Sequence, residues 1–115
     1  MTTPKKIKIG PQNWTVVERE RQTDGMLDDG SYGYTLPNSN VIVLDAAMPP
    51  SKKRVTLVHE LLHAARLQAD PPQIPSREAN LEEWEHFFIA AWDNALVAVL
   101  RDNPKLVEWL LEVDK

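Results

Sequence analysis

Apolar and polar residues alternate in the first part of the chain and then give way to helical patterns. Ile7 and Ile9 alternate with lysines, and residues 14–17 combine tryptophan, threonine and valine, as strands do. Residues 32–35 and 41–44 are further strand candidates, separated by a turn rich in asparagine, serine and proline. This part of the chain therefore predicts a small antiparallel sheet that ends in a hairpin.

Two long stretches without glycine or proline follow the predicted sheet. Residues 52–70 are rich in valine, leucine and alanine, and predict a helix for which Ser51 is a suitable N-cap. Residues 78–102 predict a second helix, which is apolar on almost every side from 87 to 100, as a buried central helix is. Residues 105–113 predict a short closing helix.

The predicted fold is therefore α+β: a small sheet, two long packed helices and a short C-terminal helix. A length of 115 residues suits one domain over residues 1–115, with residues 1–6 as a loose tail. The chain has no apolar signal segment and no run long enough to span a bilayer, so we expect a cytoplasmic protein with no membrane partner.

Charge and cysteine content narrow the possible partners and ligands. The net charge is -4 and the sequence has no basic stripe that could contact phosphates. We therefore expect no nucleic-acid partner, and a nucleic-acid-binding regulator is a weak hypothesis. The chain has no cysteine, so any metal must be held by histidine, aspartate or glutamate. Nothing in the sequence predicts the oligomeric state.

The candidate chemistry lies in the pentapeptide His-Glu-Leu-Leu-His at positions 59–63. Residues four apart share one face of a helix, so His59 and His63 can offer two imidazole nitrogens to one Zn²⁺ ion. Glu60 lies about 100° round the helix, where it reaches a water on that ion and acts as general base. The alternative is an amphipathic helix with two hydrogen-bonded histidines.

Catalytic zinc takes three protein ligands, and the motif supplies two. The second predicted helix is the obvious source of the third, because His86 is the last polar residue before its apolar stretch. Glu82 and Glu85 are alternative third ligands, and Asp93 is a candidate for orienting a ligating imidazole by a hydrogen bond. The competing interpretation is that His86 is a hydrogen-bonded histidine at the edge of the core and Asp93 pairs with a basic side chain.

Residues 54–64, the second predicted helix and residues 99–106 resemble the small metallopeptidase-like proteins common in phages and prophages. These are similar to a reduced gluzincin, the thermolysin-like group whose third ligand is a glutamate on the helix after the motif. The likeness begins at about Tyr32, and it implies a zincin-like fold and a zinc-dependent peptidase. At the position where the family's glutamate is expected this chain has His86, and a shift of one residue puts Glu85 there.

Two functions follow from these residues. The first is a zinc metallopeptidase with a peptide or protein substrate, in which Tyr32 or Tyr34 is a candidate oxyanion donor. In that case residues 41–44, if they form the edge of the sheet, would align the substrate as an added strand. The second is a non-catalytic zinc-binding or protein-interaction module, which the small size of the chain favours.

Overall fold

The fold is a four-stranded sheet with helices packed against it, and the computed structural model describes residues 2–28, 30–68 and 74–112. Its elements, in chain order, are β1 (Lys6–Ile9), β2 (Gln12–Arg19), a 3-10 turn (Arg21–Thr23), α1 (Gly25–Asp28), β3 (Gly33–Leu36), β4 (Val41–Asp45), α2 (Pro50–Gln68), α3 (Leu81–Asp102) and α4 (Pro104–Leu110). The α+β fold is therefore confirmed, with a short C-terminal helix after two long ones.

The strands lie in the order β1-β2-β4-β3, and the sheet is mixed. The pairs β1–β2 and β3–β4 are antiparallel, but β2 and β4 are parallel, with Thr15 opposite Val41. The prediction of a wholly antiparallel sheet is wrong at this pair, because α1 and β3 lie between β2 and β4 in the chain and return β4 in the direction of β2. As a result β3 is an edge strand.

The interior position of β4 explains its composition. Ile42, Val43 and Leu44 have no exposed surface, since both faces of the strand and both of its edges are covered. Residues 41–44 therefore do not form the edge of the sheet, and the prediction that a substrate strand is added beside them is wrong. A continuous apolar run is typical of a strand buried on both faces, whereas a strand with one solvated face alternates.

Helix α2 lies on one face of the sheet and carries the main core contacts. Leu57, Leu61 and Ala64 recur at the spacing of one helical face and are buried. They pack in one cluster with sheet residues that include Trp14 and Ile42. The helix begins at Pro50, so Ser51 lies in its first turn and is not the predicted N-cap. Proline suits the first helical position because its missing N–H has no helical partner there.

Helix α3 begins at Leu81 and is capped by Asn80, whose side-chain oxygen accepts a hydrogen bond from the Glu83 N–H at 2.9 Å. The prediction that it is a buried central helix is wrong. Only Ala91 and Val99 are buried, because the sheet and α2 cover one side of the helix. No described helix is long and apolar enough to cross a membrane.

Asn103 joins the end of α3 to the first strand. Its side-chain oxygen accepts from the Lys8 N–H at 2.7 Å, and its amide donates to the carbonyls of Lys8 at 2.8 Å and Val99 at 2.7 Å. The short closing helix then packs Leu106 and Trp109 into the core, as the sequence pattern predicts.

Gly33 allows α2 to approach β3 closely, and this contact generates a stability prediction. A Cβ at this position would lie 2.8 Å from the Val43 carbonyl oxygen and 3.0 Å from the Thr56 Cγ2. We expect Gly33→Ala to lower the free energy of unfolding by about 1–3 kcal/mol, because the backbone of β4 or the helix α2 must move to make room for the new methyl group. Denaturant unfolding measures the change.

Gly25 provides the matched control for this substitution. A Cβ there has nothing within 4 Å, and the residue opens α1, so Gly25→Ala should leave stability unchanged or slightly increased. Equal losses in the two variants would contradict the importance of the close contact at Gly33.

Candidate metal centre

His59, Glu60 and His63 come together on α2, and each offers one ligand atom within 4.8 Å of the others. The two imidazole centroids are 4.9 Å apart, with the ring planes at 74°. The Nε2 of His59 lies 3.9 Å from Oε2 of Glu60. The structure therefore brings together three of the predicted site residues.

The helical repeat explains why the three side chains have different surroundings. His59 and His63 point away from the core face of α2, and the His59 side chain is 68% exposed. Glu60 lies between the core face and the histidine face, and its side chain is only 8% exposed. Two accessible imidazoles thus stand beside one sheltered carboxylate.

Thr35 on β3 positions the Glu60 carboxylate. Its hydroxyl lies 3.1 Å from Glu60 Oε1 and 3.2 Å from the Glu60 carbonyl oxygen, and can donate to either. A burial of this kind is costly for a carboxylate without a partner. The edge strand therefore supplies the hydrogen bond that accompanies the burial of Glu60.

Two cavities meet at Glu60 and together form a cleft between α2 and β3. One has a volume of about 430 Å³ and is lined by Thr35, Pro37, Glu60, His63 and Arg66. The other has a volume of about 320 Å³ and lies toward the beginning of both elements. Its lining is formed by Ser31, Tyr32, Gly33, Val55, Thr56, His59 and Glu60. Arg66 places a positive charge at one end of this cleft.

The two tyrosines proposed as oxyanion donors lie in different places. Tyr32 lines the cleft beside His59, and the Lys52 Nζ lies 3.5 Å from its ring centroid. A hydrogen bond and the positive charge of Lys52 hold the pKa of Tyr32 below its ordinary value. Tyr34 instead donates its hydroxyl to Asp24 at 2.5 Å.

Asp24 ties β3 to the loop that carries α1. The hydrogen bond from Tyr34 is the main cause that holds the pKa of Asp24 below its ordinary value, and the Met26 N–H also donates to this carboxylate. Arg19 adds a nearby positive charge, at 3.6 Å from the carboxylate. Burial and the neighbouring Asp24 raise the pKa of Tyr34, so the phenol remains protonated.

The predicted third ligands are not part of the cluster of three. His86 is 74% exposed and lies 3.8 Å from Glu82, itself 81% exposed; Glu85 is exposed as well. His86 is about 140° round α3 from both Ala91 and Val99, the two residues that face the core. Asp93 is exposed and accepts from the Asn94 N–H. The third ligand therefore stays a prediction.

The residues of the cluster fit a zinc ion. Zinc binds imidazole nitrogen at about 2.0–2.1 Å, so two ligands of one ion lie up to about 4 Å apart. The observed separation, within 4.8 Å, needs only a small rotation of the side chains. Imidazole and carboxylate are also the zinc ligands that remain to a chain without cysteine.

Sequence reasoning did not find Thr35 or Arg66. The Thr35 contact with Glu60 joins residues from two elements, and no local pattern marks it. Arg66 follows His63 by three positions, so the helical repeat alone would have placed it beside the motif.

One comparison with known proteins gives a match. The family model Peptidase_M78, described as the IrrE N-terminal-like domain, matches residues 15–92, which is more than half of the chain. That range begins in β2, contains β3, β4 and α2 complete, and ends within α3. No curated protein and no solved structure matches the chain significantly.

The contact between Thr35 and Glu60 generates a second prediction. Thr35→Val keeps the side-chain shape but removes the donor, so we expect a loss of about 1–3 kcal/mol in the free energy of unfolding. The exposed Thr15 on β2 is the matched control, and Thr15→Val should change stability by less than about 0.5 kcal/mol. Equal effects in denaturant unfolding would argue against the hydrogen bond.

The lowered pKa of Asp24 generates a prediction about acid stability. A carboxyl whose pKa is lower in the folded state stabilises the fold above its unfolded pKa, near 3.8, and this contribution is lost as the pH falls further. Tyr34→Phe removes the main cause of the lowering, so its stability should fall less steeply than that of the wild type below pH 3.8. Unfolding curves at a series of pH values measure the slopes.

Tyr32→Phe is the control for this experiment, because the Tyr32 hydroxyl is not among the causes that lower the pKa of Asp24. It should keep the acid slope of the wild type. A Tyr34→Phe protein with an unchanged slope would show that the phenol does not set the titration of Asp24.

Proposed function

Because the chain belongs to the Peptidase_M78 family, whose model is described as the IrrE N-terminal-like domain, we propose that it is a zinc-dependent peptidase. The family implies a metallopeptidase-like fold and a peptide or protein substrate. The observation that carries the proposal is the group of two exposed imidazoles and one sheltered, hydrogen-bonded carboxylate in a cleft.

His59 and His63 are the residues that would hold the metal. A third protein ligand would come from the first turns of α3, where His86 is the predicted ligand and Glu82 and Glu85 are the alternatives. Bound zinc would lower the pKa of a water molecule to about 7 and polarise the scissile carbonyl. The open faces of both histidines leave room for water and substrate.

Glu60 is the proposed general base and acid. Its carboxylate accepts a proton from the attacking water and then delivers that proton to the leaving amine. Thr35 positions this carboxylate by a hydrogen bond, which restricts the rotation of the side chain. Of the two predicted oxyanion donors, Tyr32 lines the cleft and Tyr34 bonds Asp24, so Tyr32 is the proposed donor.

The edge strand β3 is the proposed docking site for an extended substrate. Within the described sheet it pairs only with β4, so the backbone groups of its other edge are free to bind a peptide strand. The cleft beside it continues past Glu60 in both directions. An extended peptide along β3 would therefore pass the proposed catalytic carboxylate.

Glu60→Gln separates the peptidase from a non-catalytic zinc protein. The amide cannot take up a proton, so we expect cleavage of a peptide library to fall by about 100-fold or more while the zinc content is unchanged. Mass spectrometry of the digest measures cleavage, and elemental analysis of untagged protein measures zinc. Chelator should abolish the wild-type activity.

Glu108→Gln, on the exposed surface of α4, is the control and should cleave at the wild-type rate. His59→Ala should lose zinc and activity together.

The same zinc analysis of His86→Ala, Glu82→Gln and Glu85→Gln identifies the third ligand. Zinc-loaded wild type with no chelator-sensitive cleavage would instead support the non-catalytic zinc-binding module, and equal cleavage by Glu60→Gln would refute the assigned role of Glu60.

A further inference from the structure

Arg66 brings a positive charge to the same face of α2 as the two histidines. It follows His63 by three positions and His59 by seven, so it falls within about 60° of both round the helix. Among the described residues that line the cleft, it is the only arginine or lysine. The Lys52 ammonium lies 3.5 Å from the Tyr32 ring centroid and lines a separate cavity. The basic end of the cleft is therefore the end that contains Arg66.

The Arg66 side chain is available to a ligand. The guanidinium groups of Arg21 and Arg101 lie 2.9 and 3.9 Å from aspartate carboxylates. No described residue pairs with Arg66 in this way. Glu60 lines the same cavity, but its carboxylate accepts a hydrogen bond from Thr35. An arginine has five N–H donors and binds a carboxylate through two of them at once, so a carboxylate is the ligand that suits this position.

Strand β3 and helix α2 run in the same direction along the cleft. Gly33 packs against Thr56, and Thr35, two strand positions later, contacts Glu60, four helix positions later. Two residues of a strand and four residues of a helix both advance by about 6–7 Å, so the two elements stay in step. Arg66 lies further along α2 and therefore stands beside the C-terminal end of β3.

We propose that Arg66 selects substrates that carry an acidic side chain on the N-terminal side of the scissile bond. Antiparallel pairing is slightly more stable than parallel pairing, and a peptide added to β3 in this orientation runs from Arg66 toward Tyr32. The residues that precede the scissile bond then lie at the basic end. This inference rests on the proposed function, because it takes β3 as the docking strand and the histidine pair as the place of cleavage.

The helical rise indicates which substrate residue meets Arg66. The level midway between His59 and His63 is five residues before Arg66, or about 7.5 Å along the helix axis. An extended peptide advances by about 3.4 Å per residue, so this distance corresponds to about two residues. The acidic side chain is therefore expected two positions before the residue that contributes the scissile carbonyl.

A library of peptides blocked at both termini tests the preference. Zinc-loaded wild type should cleave peptides with aspartate or glutamate at this position about three- to tenfold faster than peptides with asparagine or glutamine. Arg66→Gln should remove the preference, and Arg66→Glu should reverse it in favour of lysine and arginine. High salt should weaken it, because the charges are exposed. Arg101→Gln, at an exposed arginine outside the cleft, is the matched control and should keep the wild-type preference.

Retention of the same library in ultrafiltration separates this inference from the proposed peptidase activity, because retention measures binding. The wild type should retain acidic peptides more strongly than their amide counterparts, and Arg66→Gln should retain both equally. Acid-dependent retention without any cleavage would support the role of Arg66 and contradict the peptidase. Cleavage without an acidic preference, or retention that does not depend on the acidic residue, would overturn the role of Arg66.

The position of the acidic residue tests the direction of the substrate. Enrichment after the scissile bond would mean that the peptide runs parallel to β3, and would overturn the proposed assignment. A second library with free C-termini distinguishes an acidic side chain from a terminal carboxylate. A preference for the free C-terminus that Arg66→Gln removes would assign Arg66 to the end of the substrate chain, and would also overturn the proposal.

Discussion

The close contact between α2 and the edge strand β3 determines the geometry of the candidate site. Gly33 allows it, since any side chain there would meet the Val43 carbonyl or Thr56. Once the two elements are this close, the Thr35 hydroxyl reaches the Glu60 carboxylate, and Glu60 becomes buried while the histidines of the same helix remain exposed. The different environments of Glu60 and the two histidines thus follow from the helical repeat together with this close contact.

The opposite face of β3 is held by a second set of polar contacts. Tyr34 bonds Asp24, while Arg21 bonds the buried Asp45 at the end of β4 and the carbonyls of Leu27 and Ser31. These bonds fix the loop that precedes β3. An edge strand has backbone hydrogen bonds to a neighbouring strand on one side only. Side-chain contacts of this kind therefore help to keep β3 in register with β4.

The sequence predicts most accurately what depends on neighbouring residues. The histidine pair, the α2 helix and the closing helix follow from local spacing, and all are present. The parallel pairing of β2 with β4 and the contact of Thr35 with Glu60 depend on tertiary packing, which spacing does not encode. The apolar pattern of α3 predicts a buried central helix, and this is wrong because a pattern shows only that a face prefers burial, not which surface buries it.

The small number of layers in the described fold explains both the shallow cleft and the exposed side of α3. A domain of 115 residues has too few layers to surround a long apolar helix or to build deep walls round a substrate. Backbone groups along an edge strand bind an extended peptide without deep walls, because the hydrogen bonds of the strand provide the contact. The exposed apolar side of α3 has the same cause as the open cleft, because the described fold has one sheet and few helices to cover it.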